Sequence, residues 1–391
     1  MNILETLDST GLSERKSISC NFIRKFEKTI PAKRFIFGLN IYSKALLELF
    51  HVEAIIDDTR PGENFQDIPI ISFSTFQSLI EGDSNLKDEC AVISAVGGRP
   101  LTANRKLSAI GVDYLDYFNF KYFSELPLPE IPMNEDFKGE LERNSKKFQE
   151  IYDLLADKQS KSIYLKLIKF RLTYDLTELF GFNEKQNDQY FEDFLELSDN
   201  PAFLDVGSFD GFTTLKFIER YPNFTEVIAI EPENRNFLKC QLLFQNHPKS
   251  NHIKVVNAGA GSKTGHFRVT GSGSTAKLID SEQELIGIDN SLIEVMTIDE
   301  MNLSKYDRNG NKINWLIKMD IEGMEYDALI GATETIKQNY PSLAICVYHS
   351  PIDMWRIADF VMSISTNYQV FVRHYTESIY ETVMFFIPKT N

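Results

Sequence analysis

Short apolar runs alternate with stretches of helical spacing along most of this chain, a pattern that predicts an α/β protein with parallel sheets. Near the N-terminus, Arg34-Phe35-Ile36-Phe37 reads as a strand running into a turn at Gly38. A helix is predicted from Ser43 to Phe50, with Ala45, Leu46, Leu49 and Phe50 on its apolar side. Val52 to Asp58 reads as a second strand, Pro61-Gly62 as a turn and Ile68 to Ile71 as a short extended piece. A helix beginning at Ser72 and a buried strand from Ala91 to Ala95 complete a small α/β domain with a parallel sheet over residues 1–125.

Prolines then alternate in Leu126-Pro127-Leu128-Pro129-Glu130-Ile131-Pro132. Proline fixes φ and lacks an N–H, so this piece is expected to be extended and to mark a domain boundary. From Glu135 to Phe180, Ile151, Leu154, Leu155, Ile163, Leu167, Phe170 and Tyr174 recur at helical spacing. Residues 126–184 therefore read as a proline linker and helical connector, with the last helix ending near Gly181. Lys161, Lys166, Lys169 and Arg171 form a modest basic cluster, either a solvated helix face or a contact for an anionic group such as a sugar phosphate.

Residues 185–391 return to strand–helix alternation. Phe203 to Asp205 is a buried strand, and Gly207 and Gly211 bracket a turn into a helix near Thr213 with Leu215, Phe217 and Ile218 on its apolar side. Val227 to Ile230 is the next strand, closed by Glu231-Pro232. Asn234 is expected to cap a helix carrying Phe237, Leu238, Leu242 and Leu243. Further strands are predicted over His252–Val256, Gly265–Val269 (as an edge strand), Leu292–Asp299, Trp315–Met319 and Pro341–His349. Gly271-Ser272-Gly273-Ser274-Thr275 reads as a polar loop, either closing over a ligand or lying on the surface. Gln369–Tyr375 and Thr382–Ile387, joined by a short connection, predict a final antiparallel hairpin on an otherwise parallel sheet.

Composition narrows the picture. A chain of 391 residues suggests two or three domains, and 43% apolar with 25% charged residues is normal for a globular protein with a real core. The net charge of −15 argues against a nucleic-acid partner, which needs a basic face. No stretch approaches the length of a membrane span. The segment Met1 to Asp8 is acidic and lacks a signal peptide's basic and apolar regions. Cys20, Cys90, Cys240 and Cys346 are scattered, which predicts reduced thiols in a cytoplasmic protein, with Cys90 and Cys346 in the core.

Two constellations carry chemistry. In the first, the strand ending in Asp205 meets the turn Gly207-Ser208-Phe209-Asp210-Gly211. A dinucleotide fingerprint has a middle glycine that admits a pyrophosphate; it is absent here, so a nucleoside without a diphosphate fits better. Glu231 follows about twenty residues on, where an acid can accept both hydroxyls of a ribose. Strand, glycine turn, helix, strand and acid make the pattern of an S-adenosylmethionine (SAM) site, and also of a βαβ unit with no ligand. Asp205, Gly207, Ser208, Gly211 and Glu231 are the cofactor-binding candidates. Asn257, in the loop after the third strand, would lie near the adenine or act as a turn residue.

In the second, a buried strand delivers Lys318, Asp320 and Glu322 within five residues. Ionisable groups at the mouth of an apolar strand are costly unless paired or used. Alternation puts Lys318 and Asp320 on one face if the strand persists that far. Open α/β sheets bind ligands beyond the carboxyl ends of their strands, where this cluster and His349 both fall. Glu325 and Asp327 also suit the first turn of a helix. In the first domain, Gly38 and Asp57 are remnants of a dinucleotide site, with Asn40 and Ser43 where glycines would stand. With Asp67-Ile68-Pro69-Ile70 that segment resembles the Rossmann-like N-terminal domains of sugar-modifying enzymes of surface-polysaccharide pathways. Packing or homo-oligomerisation, nucleotide-sugar binding and an NAD site are its three readings.

From Tyr190 to the C-terminus the chain resembles the FkbM family of SAM-dependent methyltransferases. The resemblance rests on Leu204 to Gly211, Glu231-Pro232, Thr297-Ile298-Asp299, Ile317-Lys318-Met319-Asp320-Ile321-Glu322-Gly323-Met324-Glu325 and Val347-Tyr348-His349. Ser208 and Phe212 depart from the usual residues without removing a group the chemistry needs. The family implies a class I Rossmann-like methyltransferase fold and methyl transfer to a hydroxyl, often on sugars or polyketide-like products.

Such a displacement requires alignment of the acceptor oxygen and removal of its proton. His349 is the first candidate for general base and Glu322 the second, with Asp320 orienting either the SAM amino group or the acceptor. Asp320, Glu322 and His349 could instead hold a divalent cation, but no ligand spacing is diagnostic and no metal is expected. The expected partner is a small-molecule or glycan acceptor of polysaccharide biosynthesis. The competing reading is a nucleotide-sugar-binding or SAM-binding scaffold without turnover.

Overall fold

A computed structural model describes residues 12–185, 187–270, 277–280 and 292–389 and divides into two units. The first comprises Met1–Ile131, Leu165–Glu184 and Thr376–Tyr380; the second comprises Pro132–Tyr164, Lys185–Tyr375 and Glu381–Asn391. The predicted loop from Gly271 to Thr275 and the acidic leader lie outside the described residues.

In the first unit, the strands β1 (Arg34–Phe37), β2 (Ala54–Ile56), β3 (Asn64–Phe65), β4 (Ile68–Ile71), β5 (Ala91–Ser94) and β6 (Tyr114–Asp116) lie in the order β3-β4-β2-β1-β5-β6. All neighbours are parallel except β3 and β4. Phe35, Phe37, Ile56 and Val92 bury one face of this sheet against Phe76 and Ile80 of the helix Phe73–Gly82 and Ala103 and Leu107 of the helix Pro100–Ile110. Each such large side chain contributes roughly 1.5–3 kcal/mol on burial. The helix after Gly38 spans Ile41–Leu47, starting and ending earlier than its apolar spacing suggests. Asn40 sets that start: its side chain accepts the Tyr42 and Ser43 N–H groups, and Ser43 accepts the Asn40 N–H in return.

The second unit holds two sheets. Strands β7 (Ala202–Val206), β8 (Glu226–Ile230) and β9 (Ile253–Val256) belong to the main one. Strands β10 (Gly259–Ala260), β11 (Gly265–Thr270), β12 (Lys277–Asp280) and β13 (Leu292–Met296) form a separate sheet in the order β10-β13-β11-β12. So β11 is flanked on both sides and is not the edge strand its short pattern implied. The main sheet is completed by β14 (Trp315–Met319), β15 (Ser342–Cys346), β16 (Tyr368–His374) and β17 (Thr382–Pro388). Its order is β16-β17-β15-β14-β7-β8-β9, parallel from β15 to β9, with β17 antiparallel to both β15 and β16. The final hairpin is thus present.

The helix Asn234–Phe244 is capped by Glu233 rather than Asn234, because the Glu233 carboxylate reaches the N–H groups of Arg235 and Asn236. This helix buries Cys240 and Phe244 and leaves Leu238, Leu242 and Leu243 exposed, so its apolar pattern does not mark its packed face. Because β7, β8, β14 and β15 are parallel, their carboxyl ends share one edge. β17 runs the other way and begins at that edge, where the Val347 N–H meets the Thr382 carbonyl at 3.0 Å.

Candidate active site

A cavity of about 810 Å³ opens at this carboxyl edge, inside the second unit. Its wall includes the turn from Gly207 to Asp210, Glu231, the segment Ala258–Ala260, Asp320, Glu322 and Glu381. The turn is shaped by its backbone. Gly207 has φ +80°, and a Cβ there would stand 2.1 Å from the Asp320 carbonyl oxygen, so only glycine allows this approach. Phe209 follows with φ +51°, a left-handed conformation costing a bulky residue about 1–3 kcal/mol. Its N–H points at Oε2 of Glu231, 2.8 Å away, while Oε1 of Glu231 accepts the Glu233 N–H at 2.9 Å. Burial raises the Glu231 pKa despite these two donors.

Three predicted cofactor residues support this wall from outside it. Asp205 is fully buried, accepts a hydrogen bond from the Thr214 hydroxyl at 2.6 Å and pairs with Lys318 at 3.0 Å. Lys318 also donates to the Gly207 carbonyl at 2.6 Å, so the pair holds the turn from beneath, with Asp205 outside the cavity and Lys318 at its edge. Burial alone would lower the Lys318 pKa, but Asp205 and Asp320 push it up to about 12. Asn257 donates from Nδ2 to the carbonyls of Glu231 and Pro232, at 2.9 and 3.1 Å, holding the acid from behind. Gly211, with φ +86°, opens the helix Phe212–Arg220. Gly207 and Ser208 do line the cavity, with the Ser208 N–H tied to the Ile230 carbonyl at 3.0 Å.

β14 ends at Met319, so strand alternation does not carry to Asp320. Asp320 turns into the cavity wall, where Tyr190 donates to Oδ2 at 2.9 Å and Tyr348 to Oδ1 at 3.1 Å. Burial would raise its pKa, but Lys318 and His349 bring it below the ordinary carboxylate value. Glu322 sits at φ +56° with an exposed side chain.

His349 does not reach the cavity as the expected base. It is 0% exposed, with Nδ1 3.0 Å from Oε1 of Glu325 and Nε2 3.6 Å from both Oδ1 of Asp320 and Oε2 of Glu322. Burial would lower its pKa, yet Glu325, Asp320 and Glu322 push it up to about 9. An imidazole already protonated at neutral pH takes no proton from an acceptor.

The residue pattern missed Gln189, Tyr190, Tyr348 and Glu381, all of which line the cavity. Glu381 stands just before β17 with φ +59°, and its carboxylate accepts a hydrogen bond from the Gln189 amide. Burial, reinforced by the charge of Asp320, pushes its pKa up to about 7.

In the first unit the remnants of a dinucleotide site hold their own turn. Gly38 has φ +97°, Asp57 accepts the N–H groups of Leu39 and Thr59 at 2.9 and 2.8 Å, and Asn40 donates to the Ala95 carbonyl at 2.7 Å. The basic cluster does not form one face: Arg171 is buried, and Lys166 donates to the Phe180 carbonyl at 2.9 Å.

A mixed α/β chain whose seven-stranded sheet ends in an antiparallel pair, with a cavity at its carboxyl edge, has a Rossmann-like methyltransferase fold. Residues 205–375 match the family model of the methyltransferase FkbM domain. The crystal structure of methyltransferase FkbM from Methylobacillus flagellatus KT is similar over 98% of this chain and 99% of its own, with a TM-score of 0.68. The two are 23% identical, a likeness of fold. An rRNA methylase from Streptococcus thermophilus aligns with 50% of this chain and 90% of its own at 12% identity, with a TM-score of 0.30, too low to bear on function. No curated protein matches the chain. Among the described residues no helix is long and apolar enough to cross a membrane.

Proposed function

We propose that the chain is a SAM-dependent O-methyltransferase that acts on a hydroxyl of a sugar or glycan precursor. The observation that carries this reading is the placement of Glu231, Asp320, Glu322 and Glu381 around one cavity floored by the Gly207–Asp210 turn. Its volume suits a nucleoside-sized ligand together with a small acceptor.

The residues fit the cofactor's chemistry. Each Glu231 oxygen accepts one backbone N–H and keeps a lone pair for a ribose hydroxyl. Asp320, kept ionised and held between two tyrosine hydroxyls, suits an ammonium or a hydroxyl donor. SAM, when bound, supplies an electrophilic methyl group on a sulfonium.

The chain's own task is to orient the acceptor oxygen and take its proton. Glu381 is the best-suited base, because its pKa lies near neutrality and it lines the cavity. Glu322, more exposed, is the alternative. A sugar acceptor is supported by the family's usual substrates and by the four acids placed in this wall. The first unit is assigned to nucleotide-sugar binding or oligomerisation.

The test is calorimetry with S-adenosylhomocysteine, followed by turnover on a panel of sugar nucleotides and glycans read by mass spectrometry for a methyl gain. Micromolar binding with methylation of at least one hydroxylated acceptor is expected. No binding at millimolar concentration overturns the reading.

A further inference from the structure

Three buried side chains near the cavity carry polar atoms without a hydrogen-bond partner: both ring nitrogens of His349, Oε2 of Glu325 and Oδ2 of Asp353. All three residues are 0% exposed. A buried unsatisfied polar group costs about 1–3 kcal/mol, and more when charged, so a nest of them needs an explanation. The proposed chemistry uses none of the three.

The nest has the geometry of a cation site. His349 Nε2 faces Asp320 and Glu322 at 3.6 Å, too far for a hydrogen bond. Nδ1 stands 3.0 Å from Glu325 Oε1 without hydrogen-bond alignment, and that oxygen already accepts the Ile321 N–H at 2.8 Å. One ligand atom from each of Asp320, Glu325 and His349 falls within 4.8 Å of the other two. Divalent metals hold nitrogen and oxygen at about 2.0–2.2 Å, so ligand atoms of one shell lie up to about 4.4 Å apart. A slight inward shift closes the set. Two carboxylates balance a doubly charged ion, which binds in place of the proton that the His349 imidazole otherwise carries.

We propose that Asp320, Glu325 and His349 bind one divalent cation that accepts mixed oxygen and nitrogen ligands, such as Mn²⁺. Its role, though not its existence, rests on the methyltransferase reading: it fixes the Asp320 carboxylate in the cavity wall and sets positive charge behind that wall.

Chelator-stripped full chain is titrated with MnCl₂ while the free-ion EPR signal is followed, and S-adenosylhomocysteine binding is measured in parallel. One Mn²⁺ per chain, a higher melting temperature with Mn²⁺, and imidazole nitrogen coupling in pulsed EPR of the bound ion are expected. His349→Ala and Glu325→Gln should each weaken Mn²⁺ binding about tenfold or more. The nitrogen coupling is read on the unaltered protein, so it stands even if these variants fail to fold. A folded chain that binds S-adenosylhomocysteine but takes up no Mn²⁺, or takes it up without nitrogen coupling, overturns the cation site and leaves protonated His349 as the charge of the nest. Mn²⁺ uptake with nitrogen coupling but no S-adenosylhomocysteine binding upholds the cation site and overturns the methyltransferase reading.

Discussion

Lys318 and Asp205 form an ion pair at 3.0 Å with side chains only 3% and 0% exposed, directly beneath the turn that floors the cavity. Removing one member of a buried pair leaves the other uncompensated, at a cost of about 3–5 kcal/mol. Lys318→Met is therefore expected to destabilise the chain by that order, measured by urea denaturation. It also removes the donor to the Gly207 carbonyl, so weaker S-adenosylhomocysteine binding should accompany the loss. Pairing it with Asp205→Leu should recover much of the stability but not the binding. Single and double variants of equal stability would show that the pair is not coupled.

The Gly207 turn tolerates no side chain, and a second glycine separates the two reasons. Gly207 and Gly62 have similar φ, +80° and +87°, but a Cβ at Gly62 meets nothing within 4 Å. Gly62→Ala should cost only the backbone strain, about 1 kcal/mol. Gly207→Ala adds a collision with the Asp320 carbonyl 2.1 Å away and should cost several-fold more. Thermal melting of the two variants side by side checks the difference.

Glu231 receives the N–H groups of Phe209 and Glu233 and so ties the strained turn to the end of β8. Glu231→Ala should weaken S-adenosylhomocysteine binding by about 10- to 100-fold, the range expected for losing hydrogen bonds to a charged group. Calorimetry on the folded variant measures it, and unchanged affinity would remove Glu231 from the cofactor site.

The parallel strands of the main sheet were legible because a buried parallel strand is a short apolar run ending at a turn, and the last hairpin because its connection is short. Side-chain direction was less legible. Asp205 ends an apolar strand like a ligand-binding acid, but the pattern does not reveal that Lys318 on the neighbouring strand occupies it; the register pairs these two positions. His349 sits at the right edge yet points into the protein, toward Glu325, which sequence assigns equally well to the first turn of a helix. Glu381 has no motif around it. Topology would have found it: an antiparallel last strand must start at the edge where the parallel strands end, so the residue before Thr382 belongs beside Tyr348 and the cavity.

Glu381 yields the sharpest kinetic prediction. Its carboxyl is pushed up to about 7 by burial and by Asp320, so it is protonated and idle below that pH and able to accept a proton above it. Turnover should therefore rise with pH through a single limb near 7. Glu381→Gln keeps the shape and can still accept from the Gln189 amide, but it cannot take a proton. It should lower kcat by about 10²- to 10⁴-fold, abolish the limb and leave S-adenosylhomocysteine affinity unchanged. If His349 were the base, the limb would lie near 9, where its neighbours place that imidazole, and Glu381→Gln would leave it in place. Full turnover in Glu381→Gln would pass the role to Glu322, the more exposed of the two acids in the cavity wall.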